Sequence, residues 1–212
     1  MTSWDISTVS EEFLVDLCEK TLEEEGSIGD VGGIPVVKIP PNIVAKIGRR
    51  VAHSEASTQT SAHKELDPSI AYVPEVYRHF RRSRGAANAK HGYLFMEYVP
   101  GRKLQDLETG VLAELAPSAL NIIKHLGEAR GGSAPGPAGG DDDSLCLLDW
   151  GYAGFYPRFF EVLALKCTIP YVDTFEGALE REVEAAMELT DEERRDFQHV
   201  MFVRGVNFRW SL

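Results

Sequence analysis

The sequence predicts an α+β chain: a small antiparallel-sheet lobe followed by a mostly helical one. Three observations carry that expectation. IPVVKI and IVAKIG are β-branched runs on either side of Pro-Pro-Asn, which reads as a β-hairpin. YLFMEYV at 93–99 is a strongly apolar strand. After Pro100-Gly101 the pattern changes to helical spacing and a long Gly/Pro segment.

The elements follow in order. Residues 8–25 read as a helix, opened by a Thr8/Glu11 capping box, with Leu14, Leu17, Cys18 and Leu22 on one face and Gly26 as its stop. The next stretch, GSIGDVGG, matches neither GxGxxG nor GxxxxGK[ST] and reads as a plain turn. Behind the hairpin, 53–66 is expected to be helical, with a further strand near Val73–Phe80 before the one at 93–99. Strand, strand, helix, strand, strand suits a small α+β lobe.

The second half is expected to start with a helix from Ala113 to Arg130. Pro117 lies near its start, and Leu120, Ile123 and Leu126 form an apolar stripe. GGSAPGPAGGDDDS at 131–144 is low-complexity sequence and reads as a loop. SLCLLDW is a strand. Residues 175–188 are helical by spacing, with Leu179, Val183 and Met187 on one face. A Thr190/Glu193 capping box opens a last helix toward Trp210. The expected division is 1–34 (helix and glycine-rich segment), 35–100 (small lobe with hinge) and 101–212 (helical lobe).

Composition narrows the function classes. Of 212 residues, 43% are hydrophobic, enough for a sizeable core. Twenty-two Lys and Arg against 33 Asp and Glu leave a formal charge of −11, which repels polyanions and argues against a nucleic-acid role. Arg49-Arg50 and Arg81-Arg82-Ser83-Arg84 read as solvated loop charge. Cys18, Cys146 and Cys167 are too few and too scattered for a disulfide framework or a zinc site. MTSWDISTVSEEF lacks the regions of a signal peptide, and no apolar run is long enough to span a bilayer, so a cytoplasmic location without membrane association is expected.

Three segments together resemble one family. IVAKIG followed by Glu55-Ala56, then YLFMEYVPGRKLQDL, then LLDWGYAGFYPRFFE stand in the order found in aminoglycoside phosphotransferase-like proteins of the fungal type, which have a protein kinase-like fold. The resemblance covers roughly residues 35–165 and implies ATP and Mg²⁺ as cofactors. Lys46 would hold the α- and β-phosphates, and Glu55 would fix Lys46. The backbone of Glu97, Tyr98 and Val99 would take the adenine, and Asp149 would hold the metal. Each residue also has an ordinary reading: a solvent-facing lysine, a helix-surface glutamate, plain strand sequence. Asp149 is the exception, because a carboxylate between Leu148 and Trp150 needs a partner or a metal.

One part of the family pattern is absent. Its catalytic loop, His-x-Asp-x-x-x-x-Asn, supplies the aspartate that orients the acceptor hydroxyl and the asparagine that holds a metal ion. None of the six histidines has Asp two residues on. The aspartates between hinge and Asp149 are Asp106, Asp141, Asp142 and Asp143; five residues on stand Val111, Cys146, Leu147 and Leu148. PGPAGG and DDDSLCLLDW resemble segments that flank the missing stretch and here join near Gly140-Asp141. The resemblance therefore implies a truncated helical lobe and a pseudoenzyme, with no catalytic residue to name. Two other readings stay open: an active small-molecule phosphotransferase whose true product retains the loop, and a non-catalytic scaffold with a protein partner. The acceptor substrate is not legible.

Overall fold

The computed structural model describes residues 5–30, 33–84, 89–102, 109–128, 145–147, 179, 181–183 and 189–199. The chain forms two compact units. Met1–Gly101 with Gly136–Gly154 is the first, and Arg102–Pro135 with Phe155–Leu212 the second.

The first unit is built on helix α1 (Glu11–Glu24), strands β1 (Gly29–Asp30), β2 (Pro35–Ile39) and β3 (Ile43–Gly48), helix α2 (His53–Glu65), and strands β4 (Val76–Arg84) and β5 (Ala89–Glu97). The five strands are antiparallel, in the order β1-β2-β3-β5-β4. The three interior strands, β2, β3 and β5, carry the apolar runs legible in the sequence.

Alternation along the strands gives each sheet face its own core. Val37, Ile39, Ala45, Ile47, Tyr93 and Phe95 point to the side covered by Leu14 and Cys18 of α1. Phe80 stacks on Tyr93 and Phe95, with ring centroids 5.3 and 5.8 Å away. Val44, Leu94 and Met96 point to the other side, where they meet Ala56 of α2 and Val51 just before it. Arg78 ties the N-terminal segment to β4 by donating from Nη1 to the carbonyls of Ile6 and Val9, at 3.0 and 2.6 Å.

Several boundaries differ from expectation for local reasons. Helix α1 begins at Glu11 with Ser10 as its cap, the Ser10 hydroxyl accepting from the Phe13 N–H at 3.2 Å. Thr8 is not the cap, because its hydroxyl donates to the Asp5 carbonyl in a preceding turn. Part of the glycine-rich stretch is a strand rather than a turn: Gly29 and Asp30 pair with Val36 and Pro35. Strand β4 starts at Val76 because α2 captures the carbonyls before it. His63 Nδ1 lies 2.7 Å from the Val73 oxygen, and Gln59 Nε2 donates to the Pro74 oxygen at 2.9 Å. Arg81–Arg84 are strand residues, not loop charge. Arg82 pairs with Glu11 and Glu12, and Arg81 donates to the Arg49 carbonyl at 3.2 Å.

In the second unit, helix α3 (Thr109–Glu128) starts four residues before the expected point, so Pro117 lies inside it. Leu120 and Ile122 are buried; the side chains of Ile123 and Leu126 lie outside the described residues. Leu179 and Val183 are buried as their shared face requires, while Met187 and the 131–144 segment lie outside the described residues. Residues 191–199 are helical and open with the expected reciprocal box. Thr190 N–H donates to Glu193 Oε2 at 2.8 Å, and Glu193 N–H to Thr190 Oγ1 at 3.2 Å. Among the described residues no helix is long and apolar enough to cross a membrane.

Candidate functional site

The α2-facing side of the sheet holds a buried pair of opposite charges. In β3, alternation sends Val44 and Lys46 to this face, and Lys46 stands opposite Val36 in β2 and Leu94 in β5. A short turn then leads into α2, whose first turn holds Glu55. Lys46 Nζ donates to Glu55 Oε1 at 2.5 Å. Both side chains are almost fully buried, with 4% and 3% of their surface exposed. The structure therefore brings together the lysine and the acid that the sequence had placed on neighbouring elements. A buried charge needs such a partner, since its desolvation is otherwise uncompensated.

Close approach of β5 to the start of α2 makes this pairing geometrically attainable. At Gly92 a Cβ would sit 2.0 Å from the Val51 carbonyl oxygen, so only glycine fits. His79 lies on the same face, its ring 5.7 Å from that of His53. Burial holds the His79 imidazole below the usual histidine range, a hydrogen bond to the Val51 backbone opposes this, and His53 and Arg81 lower it further.

The expected hinge follows β5. Glu97 is its last residue, and its N–H donates to the Glu75 carbonyl at 2.9 Å. Tyr98 N–H donates to the Asn42 carbonyl at 2.9 Å. Both donors are thus spent on neighbouring backbone. The Val99 N–H has no hydrogen bond among the described residues, and Pro100 after it has no N–H to offer. Beside the hinge, Ile34, Val36 and Tyr98 pack at the edge of the α2-side core. Lys38, two residues beyond Val36 on the same face, places its ammonium 3.9 Å above the Tyr98 ring.

Three features of this region have no short-range signature. The Tyr72 hydroxyl donates to Glu97 Oε2 at 2.5 Å. Tyr72 also pairs with 145–147 in a parallel bridge, its N–H donating to the Leu145 carbonyl and its carbonyl accepting from the Leu147 N–H, each at 2.9 Å. Gln59 is buried beneath β5 and reaches both the Pro74 carbonyl and, at 3.4 Å, Met96 Sδ. The bond to Glu97 pushes the Tyr72 phenol up to about 12, with burial and the Glu97 charge adding to it. Burial, then the same carboxylate, pushes the Cys146 thiol up to about 11.

Asp149, the expected metal ligand, lies outside the described residues. Among the described residues no three His, Cys, Asp or Glu side chains gather where they could hold a metal ion. No protein-family model, curated protein or solved structure matches the chain.

Proposed function

We propose that this chain is an aminoglycoside phosphotransferase-like, kinase-fold protein that binds ATP and does not transfer its phosphate. The observation that carries the reading is the buried Lys46–Glu55 pair, joining the third strand to the helix packed behind it. A strand-borne lysine held by a helix-borne acid is what positioning of the α- and β-phosphates requires. The hinge fits an adenine in a restricted way. The Val99 N–H is the donor left for it, beside the carbonyls of 97–99 and the apolar edge formed by Val36 and Val44. Lys46 meets phosphate only when the groups covering it move aside, because it is 3% exposed. Asp149 would hold Mg²⁺, which neutralises phosphate charge when bound.

Binding of this kind does not accelerate transfer. Catalysis needs interactions stronger in the transition state than in the ground state. No His-x-Asp-x-x-x-x-Asn stands in the sequence to orient an acceptor hydroxyl or take its proton, a role worth roughly 10²–10⁴-fold. The burial of Lys46 also favours a second reading, a scaffold in which the ion pair only organises the fold.

Thermal unfolding with and without MgATP separates the two. Ligand at a hundred times its Kd stabilises the folded state by about 2.7 kcal/mol, a readable rise in Tm. The rise is expected for the native chain and lost in Val99→Pro, which removes the hinge donor. No rise in the native chain leaves the scaffold reading. ATP consumption with a panel of hydroxyl acceptors is expected to stay at background. Acceptor-dependent turnover abolished by Asp149→Ala overturns the claim of inactivity.

A further inference from the structure

Tyr72 occupies an unusual position in the first unit. Its own segment is pinned to α2, since the next two carbonyls, of Val73 and Pro74, are taken by His63 and Gln59. On the other side its backbone makes both bonds of the bridge to 145–147. Its side chain runs in a third direction and donates to Glu97 Oε2 at 2.5 Å. Glu97 is held in turn: the same Oε2 lies 3.4 Å from the Glu75 N–H, and the Glu97 N–H donates to the Glu75 carbonyl. The 72–74 segment therefore joins α2, the end of β5 and the 145–147 segment, and Tyr72 makes the last two joins.

We propose that Tyr72 is a positioning residue that locks the Glu97 end of the hinge to the 145–147 bridge, so that an adenine base bound at the hinge tightens that bridge. The inference rests on the nucleotide reading above and adds a route by which occupancy of the hinge is felt elsewhere. A base held at Val99 restrains the backbone of 97–99, and with it the Glu97 carboxylate. An acceptor already restrained loses less freedom on bonding, so its bond to the Tyr72 hydroxyl is stronger. The ring is thereby fixed, and the backbone of Tyr72, which carries both bridge bonds, loses freedom to open. Linkage makes the effect reciprocal: a bridge tightened by the base must also strengthen binding of the base by the same factor.

Adenosine is the suitable probe. It presents the base without phosphates, so Lys46 and any metal ion play no part. The measurement is amide hydrogen exchange at Leu147, whose N–H donates across the bridge, in the native chain and in Tyr72→Phe. The variant keeps the ring and both backbone bonds and loses only the hydroxyl. In the native chain saturating adenosine is expected to slow this amide by at least about fivefold, the lower end of ordinary coupling. In Tyr72→Phe the slowing is expected to fall below about twofold and adenosine affinity to drop by up to the same factor. Glu97→Ala should behave like Tyr72→Phe, and Glu97→Gln, which keeps an acceptor oxygen, should retain the slowing. That rescue separates positioning from a general loss of stability.

Slowing that persists in Tyr72→Phe and Glu97→Ala overturns the proposal, as does its absence in the native chain when adenosine binds. ATP binding without adenosine binding also overturns it while leaving the nucleotide reading intact. Failure of both ligands to bind removes that reading, and the coupling with it.

Discussion

Lys46 and Glu55 are nine positions apart, yet they meet at 2.5 Å inside the first unit. Removing one charge of such a pair strands the other away from water, which costs about 3–5 kcal/mol, whereas replacing both with apolar residues of similar volume is often neutral or stabilising. Lys46→Ala is therefore expected to lower stability to urea by about 3–5 kcal/mol, and Lys46→Met combined with Glu55→Leu by less than about 1 kcal/mol. A loss below 1 kcal/mol in Lys46→Ala shows that the pair is not buried in solution. Three other groups set the alkaline limit. The thiol of Cys18 is pushed up to about 12 by burial, with Glu19 adding to it, and that of Cys146 to about 11. The phenol of Tyr72 is pushed up to about 12. Each is raised on folding, so below the ordinary thiol range both states hold the proton and the contribution is complete. As pH rises further, the unfolded chain releases protons that the folded chain keeps, and stability falls. Urea midpoints should drop between about pH 9 and pH 12, with a smaller drop in Cys18→Ala/Tyr72→Phe. An unchanged slope in that double variant contradicts the assignment.

Among the elements, β5 is the most constrained. It pairs on both sides, feeds alternate residues to two cores and passes within van der Waals contact of the turn before α2. Gly92 stands at that crossing. A methyl group there meets the Val51 carbonyl, a backbone atom that cannot rotate away. Gly92→Ala must displace either β5 or the start of α2, and backbone shifts of this kind cost about 1–3 kcal/mol. The same displacement carries Glu55 away from Lys46. The variant is thus expected to lose stability and show faster exchange at the amides of α2's first turn. Unaltered exchange there means that the α2 start is not set by this contact. Legibility at this scale followed the range of the interaction. The Thr190/Glu193 box and the α2 helix depend on residues within a few positions, and both were readable. The cap of α1 falls at Ser10, two residues past Thr8, because Thr8 bonds the Asp5 carbonyl. Strand β4 starts at Val76 rather than Val73 because two side chains of α2 take the carbonyls ahead of it.

For the molecule as a whole, the apolar runs IPVVKI, IVAKIG and YLFMEYV by themselves determined the strands of a small antiparallel sheet. A continuous apolar run is what a strand buried on both faces needs. The sequence also determined that no His-x-Asp-x-x-x-x-Asn is present. The tertiary structure alone decided the rest. Val36 and Leu94 flank Lys46, and Tyr98 N–H is spent on Asn42. Tyr72 gathers Glu97 and the 145–147 bridge around itself. The physical reason is common to all of these. Alternation and capping are local, written in neighbouring residues, whereas the partners of Tyr72 are chosen by chain closure over long separations. Their cost in loop entropy rises only slowly with length, so the sequence carries little trace of which closure wins.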